Sequence, residues 1–406
     1  MTFKEARPFL FAVIATLPGL AMRALHPSID PVHMALLTGM AILGASFLLM
    51  WACEVAQMDI PQTLALAVVA LIAVLPEYAV DMYFTWMAGQ HPESEYSHYA
   101  IANMTGANRL LIGVGWTAIV LLVAARHRKA VELDPERKTD ILFLAMATAY
   151  ALLIPIKGSL AWYDGVIFVG LYGWYILLVS RRPCVETEAE GPAEALAKLP
   201  AAKRRMVTLT LFLFAASVIL ADAELFSESL VASGKQLGIN EFLLVQWLAP
   251  IASEAPEFIV ALMFASRGHA SIALGSLISS KLNQWTLLVG MIPAVFAVSS
   301  GSINPPIPMD AHQMHEILLT AAQSLFAICL LLSMRMELRG ALVLLVLFLA
   351  QFAAPFYEEI LETALGLPHL SDRMHLIFSG IYLVLAIGML IRNPGKLATL
   401  RQGLKP

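Results

Sequence analysis

Residues 75–78, Leu-Pro-Glu-Tyr, and residues 255–258, Ala-Pro-Glu-Phe, decide the fold of this chain. Each stretch stands in a long apolar run and places a proline directly before a glutamate. Pro61 precedes the first stretch, and Asn240 the second, by nearly the same number of residues. One Pro-Glu pair in an apolar chain carries little information, but two pairs with matching surroundings indicate an internal repeat.

The composition indicates an integral membrane protein. Of the 406 residues, 59% are hydrophobic and only 14% are charged, and the mean hydropathy is +0.74. Soluble domains carry about 25% charged residues, so a soluble fold of this length could not cover so much apolar surface. The lipid bilayer is therefore the expected partner, and the net charge of −4 gives no support for a nucleic-acid partner.

Apolar runs of about 20 residues predict transmembrane helices along the whole chain. We predict an all-α integral membrane protein with about 12 such helices. The predicted spans are 8–25, 33–55, 61–88, 98–124, 139–156, 162–180, 206–224, 239–266, 270–298, 312–334, 338–356 and 373–391. The third, fourth, eighth and ninth are longer than a bilayer requires and must tilt or break, with Pro76, Pro250 and Pro256 as candidate break points.

A polar stretch divides the chain into two halves. Residues 181–205 carry several glutamates and end in a basic triplet, which is typical of a solvated cytoplasmic linker. We therefore assign residues 1–180 to an N-terminal transmembrane half and residues 206–406 to a C-terminal half.

Basic residues predict the orientation in the membrane. With the N-terminus in the cytoplasm, 20 of the 26 Lys and Arg residues fall on the cytoplasmic side and four fall outside. Basic residues favour cytoplasmic loops, so both termini are predicted to be cytoplasmic, in a bacterial-type inner or plasma membrane.

The same topology makes the two copies of the repeat antiparallel. The copies cover about 61–117 and 239–292, and five spans per copy invert the second copy relative to the first. Two inverted five-helix repeats with one extra helix at each end account for all twelve spans. Inverted repeats with polar, interrupted helices at the midplane are typical of secondary transporters.

Four acidic residues lie at depth on the two helices that the repeat relates. Asp81 follows Glu77 by four residues, and Glu254 precedes Glu257 by three, so each pair shares one helix face. An ionised side chain at the centre of a bilayer costs at least about 2.5–3.5 kcal/mol, so these acids need a partner, water or a proton. Carboxylates beside the carbonyls that a proline frees form a hard-oxygen environment suited to Ca²⁺, Na⁺ or H⁺.

Small and polar residues open the following helix in each copy. In the first copy, Asn103 shares a face with two small residues for which close helix packing is the better interpretation. In the second copy, a row of four polar residues favours an ion path over packing. This row consists of Ser276, Ser279, Ser280 and Asn283.

Arg109 and Lys281 lie near the middle of these two helices, where fixed cations are costly. In one interpretation each neutralises a buried acid in a structural salt bridge. In the other, each occupies a place that a mobile cation would otherwise take and so tunes the charge of the site.

The two copies resemble the alpha-repeats of the calcium/cation antiporter superfamily, with the sequence of a divergent bacterial-type sodium/calcium exchanger membrane region. In that family the central glutamate of each repeat binds the exchanged cation. The resemblance therefore implies metal ligation by Glu77 and Glu257, and by Asn103, Ser276 and Ser280. Glu254 and Asp81 are expected to extend this site.

Two departures from the family pattern bear on the coupling ion. Ala73 and Val74 stand where a hydroxyl is expected before the first Pro-Glu pair, and Lys281 stands where an asparagine is expected. Several sodium-binding oxygens are therefore missing, which favours coupling to H⁺ over coupling to Na⁺.

We predict a secondary cation antiporter that exchanges Ca²⁺, or another cation, for H⁺ or Na⁺ by alternating access, with no cofactor. One alternative is a monovalent cation/proton antiporter, and another is a non-transporting membrane sensor or scaffold that retains the exchanger fold. An enzyme is not expected, because no nucleophile–base pair is present. The scattered cysteines and histidines form no paired metal-ligand motif of a hydrolase either.

Overall fold

The computed structural model describes residues 3–59, 74–181, 189, 191–366 and 373–404. Eleven helices in this part of the chain are long and apolar enough to cross a membrane. The predicted third span, 61–88, lies partly outside the described residues, and its second part forms a helix from Leu75 to Gln90. The predicted all-α membrane fold with about twelve spans is thus confirmed.

The helices follow the predicted apolar runs closely. The long helices are α1 (Phe3–Leu25), α2 (Pro31–Ala56), α3 (Leu75–Gln90), α4 (Tyr96–His127), α5 (Arg137–Lys157), α6 (Trp162–Val179), α8 (Ala201–Leu237), α9 (Glu241–Ser266), α10 (Ala270–Ser300), α11 (Ala311–Leu331), α12 (Leu338–Leu365) and α13 (Met374–Arg392). Two short helices are α7 (Pro192–Ala197) and α14 (Ala398–Gln402). Strands β1 (Val131–Glu132) and β2 (Arg335–Met336) pair antiparallel.

Residues from both halves of the sequence contribute to each of two compact units. The first unit comprises Met1–Trp86 and Ile176–Glu257, and the second comprises Met87–Tyr175 and Phe258–Pro406. The sequence halves therefore describe the repeat and not the compact units, because helices of both halves pack together in each unit.

The first unit has a core formed mainly by α1, α2 and α8. Leu48 and Leu49 of α2 are buried with Val218 and Ile219 of α8. Apolar side chains from both helices fill this interface, whose burial is the main favourable contribution to folding. It orients α8 along α2 inside the first unit.

The predicted solvated linker is partly wrong. Residues 182–188 and 190 lie outside the described residues, but α7 buries Ala193 and Leu196 in the core of the first unit, and α8 already begins at Ala201. The physical reason is that these small and apolar residues find a packing surface, although the surrounding charges suggested a solvated segment.

An ionic contact joins the end of α2 to the start of α8. Arg204 donates two hydrogen bonds to the carboxylate of Asp59, at 2.7 and 2.8 Å, and Arg205 donates a third at 3.0 Å. The hydrogen bond from Arg204 is the main reason that the pKa of Asp59 falls to about 2. The pair therefore stays ionised at neutral pH.

Helix irregularities occur at other places than the prolines suggested. Helix α9 continues through Pro250 and Pro256, so neither ends the helix. A helix can continue past a proline where local adjustments satisfy the freed carbonyl. Pro76 lies in the first turn of α3, where its missing N–H costs little.

The irregular turns lie instead in α4 and α10, which are corresponding helices of the two repeat copies. Each contains a π-helical turn, at Leu111–Trp116 in α4 and at Gln284–Leu288 in α10. Such turns are rare and often lie at functional sites. They begin shortly after Arg109 and Lys281, which gives the corresponding helices the same local distortion.

Two glycines bring α6 and α10 into close contact inside the second unit. A Cβ atom on Gly165 would lie 2.5 Å from the carbonyl oxygen of Gly290. Small residues let membrane helices approach until their backbones touch. This crossing therefore depends on the absence of a side chain at residue 165.

We expect Gly165→Ala to lower the stability of the protein by about 1–3 kcal/mol, because the added methyl group would push apart two packed backbones. Gly170→Ala, on the same helix, is the matched control, since a Cβ atom there has no neighbour within 4 Å. Thermal unfolding of the purified protein in detergent measures both effects. Equal melting temperatures for the two variants would contradict the proposed crossing.

Candidate cation site

Three carboxyl groups meet in the first unit. Glu77 lies in the first turn of α3, directly after Pro76, and the side chains of Ser253 and Glu254 on α9 are its near neighbours. Glu257 lies close enough to Glu77 for direct electrostatic interaction. The structure thus brings together three of the four acids that the sequence singles out.

Burial makes this acid cluster unusual. Glu77 is 2% exposed and Glu254 is fully buried. Two neighbouring buried carboxyl groups favour a proton or a cation between them, because two ionised carboxylates repel each other. The Oε2 atom of Glu77 has no hydrogen-bond partner in the described part of the chain, so it is available to a bound cation or proton.

Asp81 is buried one helical turn beyond Glu77. The hydroxyl of Thr85 donates to the main-chain carbonyl of Asp81 at 2.9 Å, which leaves the Asp81 carboxyl out of that bond. Because residues 75–90 form a helix, the spacing of four residues places Glu77 and Asp81 on one face of α3, as predicted.

The other predicted oxygen ligands belong to the second unit. Asn103 of α4 and Ser280 of α10 are buried, whereas Ser276 is exposed and donates to the carbonyl of Ala273 in its own helix at 2.9 Å. Cation ligation by Asn103, Ser276 and Ser280 stays a prediction.

Two members of the polar row on α10 bind other helices. Ser279 donates to Asp140 of α5 at 3.1 Å, and Asn283 donates to the hydroxyl of Tyr172 on α6 at 3.4 Å. Cross-helix packing therefore explains these two positions, where the sequence favoured an ion path. Asp140 is itself buried and also accepts a hydrogen bond from Arg137.

Arg109 forms a buried ion pair with Glu316 of α11. The guanidinium and the carboxylate lie 2.5 Å apart, and the two side chains are 2% and 1% exposed. The other oxygen of Glu316 lies 2.7 Å from Nε2 of His375 on α13. This supports the structural interpretation of Arg109, with an acid that the sequence had not singled out.

Lys281 has polar and aromatic neighbours. Its ammonium group donates to Oδ1 of Asn108 on α4 at 2.7 Å and lies 4.2 Å from the centre of the Trp285 ring. A buried ammonium gains from both contacts, since an amide oxygen accepts a hydrogen bond from it and the ring face attracts the cation. The residue that replaces the expected asparagine thus links α10 to α4.

Glu316, His312 and His375 are the chemically active side chains that sequence reasoning missed. Each of the three offers a possible metal-ligand atom, and these atoms lie within 4.8 Å of one another. The spacing of four residues between His312 and Glu316 was a usable signal, because it places both on one face of α11. His375 is distant in sequence, so only folding brings it to the pair.

Comparisons with known proteins agree with the repeat. A family model described as sodium/calcium exchanger protein matches residues 31–181 and again residues 207–356. The two matches enclose the predicted copies and confirm the repetition.

Similar proteins are antiporters and exchangers. The chain is 42% identical to a solved structure described as the H⁺/Ca²⁺ exchanger CAX, with a TM-score of 0.90, and the match covers 99% of this chain and 98% of that one. A putative antiporter, CaxA from Alkalimonas amylolytica, is 22% identical over 254 residues, which are 62% of this chain and 72% of CaxA. A structure of the sodium-calcium exchanger NCX_Mj is 18% identical, and the match covers 80% of this chain and 97% of that chain with a TM-score of 0.53. This likeness shows the fold alone.

We expect the Arg109–Glu316 pair to contribute strongly to stability, because removal of one partner leaves the other charge buried. Arg109→Met and Glu316→Gln should each destabilise the protein by about 3–5 kcal/mol, and the double variant by less than their sum. Unfolding measurements on all three variants give the coupling energy.

The exposed pair Arg23 and Glu224, whose side chains are 43% and 51% exposed, is the matched control. Solvent screens such pairs, so their coupling should lie within about 0–1 kcal/mol. A coupling for Arg109 and Glu316 as small as that of the control would refute the role of the buried pair.

Proposed function

Since the chain belongs to the sodium/calcium exchanger protein family and is a cation antiporter in a membrane, we propose that it exchanges Ca²⁺ for H⁺ by alternating access. In this proposal Glu77 and Glu257 bind the exchanged ions, and Glu254 and Asp81 extend the site. Asn103, Ser276 and Ser280 are the proposed neutral ligands.

The proximity of the two buried carboxyl groups of Glu77 and Glu254 carries the proposal of proton coupling. A proton shared between them would occupy the oxygens that a divalent cation would bind. Ca²⁺ prefers several oxygen ligands, including carboxylates, so protons and Ca²⁺ compete for one set of atoms. The 42% identical structure described as an H⁺/Ca²⁺ exchanger supports the same pair of ions.

Competition for buried carboxylates explains why transport would be exchange and not leakage. An empty, fully ionised cluster inside a bilayer is costly. The site therefore switches its opening from one side of the membrane to the other most readily when protons or a metal ion balance its charge. Binding on one side and release on the other then alternate between the two kinds of ion.

The structural partners of the two fixed cations bear on the monovalent alternative. That alternative assigned Arg109 and Lys281 to the cancellation of charge at the ion site. Glu316 and Asn108 give both residues a structural role inside the second unit, which supports exchange of a divalent cation.

The proposed orientation places both termini in the cytoplasm. It rests on the distribution of basic residues. In the predicted topology, Arg126 and Arg137 lie on the cytoplasmic side of the membrane and Arg373 lies on the outer side.

We expect Glu257→Gln and Glu77→Gln each to reduce Ca²⁺ transport to background, because each variant removes a carboxylate that binds both ions. Uptake of radiolabelled Ca²⁺ into proteoliposomes carrying a pH gradient measures this. Glu224→Gln is the matched control, since that acid is exposed and pairs with Arg23. Normal gradient-driven uptake by Glu257→Gln would refute the site.

The same proteoliposomes distinguish the alternatives. A Na⁺ gradient without a pH gradient should drive little Ca²⁺ uptake, and equal uptake would refute proton coupling while leaving cation exchange intact. Divalent transport gained only in Lys281→Asn would favour the monovalent exchanger. The absence of flux for every tested cation, in protein shown to be folded, would favour the sensor or scaffold.

A further inference from the structure

We propose that His312, Glu316 and His375 in the second unit form a binding site for a transition-series divalent cation such as Zn²⁺. His312 and Glu316 belong to α11, and His375 lies in the first turn of α13. The proposal concerns resident metal binding, and it does not depend on which cation the acid cluster of α3 and α9 transports.

The donor atoms already converge. One ligand atom from each of the three residues lies within 4.8 Å of the other two. The Nε2 atom of His375 is 2.7 Å from an oxygen of Glu316, and the centres of the two imidazole rings are 4.9 Å apart. Ligands of a tetrahedral zinc ion lie roughly 3.4 Å apart, so small side-chain rotations suffice to enclose one.

The ligand types select the class of metal. Two imidazoles and one carboxylate suit Zn²⁺, Co²⁺ and related ions, whereas Ca²⁺ and Mg²⁺ prefer six or more oxygen ligands or water. Three protein ligands leave one position of a tetrahedron for water.

Neighbouring residues hold the carboxylate in place. Arg109 binds one oxygen of Glu316 at 2.5 Å, and the hydroxyl of Thr105 lies 3.4 Å from the same oxygen. Hydrogen bonds to a ligating carboxylate are the usual outer support of a metal site. They orient the opposite oxygen of Glu316 towards His375.

The arrangement also leaves access for an ion. The Glu316 side chain is 1% exposed, the His375 side chain is 22% exposed and His312 is exposed. The buried carboxylate therefore forms the floor of the site, and the imidazoles form its rim. Arg109 already supplies a full counter-charge to Glu316, so charge balance does not require two imidazoles beside that carboxylate.

Capping fixes the position of His312. Asp310 caps the start of α11, because its side chain accepts hydrogen bonds from the backbone N–H groups of His312 and Gln313. In return, the side-chain oxygen of Gln313 accepts a hydrogen bond from the backbone N–H of Asp310. This capping box defines the first turn of the helix. His312 and Glu316, four residues apart, consequently lie on the same face.

Direct binding of Co²⁺ and Zn²⁺ to the purified full chain in detergent tests the proposal. Co²⁺ with nitrogen and oxygen ligands in a tetrahedral site gives visible absorption bands that the hydrated ion lacks. We expect one such site, displaced by Zn²⁺ and unaffected by excess Ca²⁺, together with a saturable rise in melting temperature.

We expect His312→Ala and His375→Ala each to weaken Co²⁺ binding by at least about tenfold, the lower end of the effect of losing even an outer-shell partner. His98→Ala is the matched control, because His98 also contacts an acid, Glu95, at 2.5 Å, and no third ligand was found there among the described residues. His312 is exposed, so its variant should fold normally.

Two results would overturn the proposal. One is equal Co²⁺ binding in the wild-type protein, His312→Ala and His375→Ala. The other is displacement of Co²⁺ by Ca²⁺ together with loss of binding in Glu257→Gln, which would assign the metal to the acid cluster. Neither result depends on transport, so failure here is distinguishable from failure of the proposed function.

Discussion

A carboxylate inside a bilayer must be balanced by a proton, a metal ion or a fixed cation, and this constraint organises the exchanger. The cost of an unbalanced charge there is several kcal/mol, which exceeds what an ordinary packing contact contributes. Each buried acid in the described residues is therefore best understood by what lies beside it. Two solutions stand out, one at the proposed cation site and one at a structural ion pair.

Glu77 and Glu254 represent the first solution, in which two buried acids lie side by side. In the proposed function, protons and a metal ion take turns in balancing their charge. Glu316 represents the second solution, in which Arg109 supplies a permanent counter-charge. The first arrangement is the basis of the proposed exchange, and the second joins α4 to α11 within one unit.

The corresponding helices of the two copies show how a repeat can diverge while its backbone is retained. Both α4 and α10 carry a π-helical turn shortly after a buried cation. Arg109 pairs with a carboxylate, whereas Lys281 binds an amide and an aromatic ring. The two cations stand one position apart in the register of the repeat, since Lys281 corresponds to Asn108 and Arg109 follows it. The local backbone is therefore better preserved than the side-chain chemistry.

The sequence by itself determined the membrane class, the positions of the helices and the repeat, and it singled out the acids of the proposed cation site, because apolar length and intramembrane charge are local properties. It also identified Arg109 and Lys281 as unusual. Only the tertiary structure decided their partners, since Glu316 and Asn108 lie on other helices. The meeting of His375 with His312 was likewise invisible in sequence, because the packing of α13 against α11, and no local pattern, brings those imidazoles together.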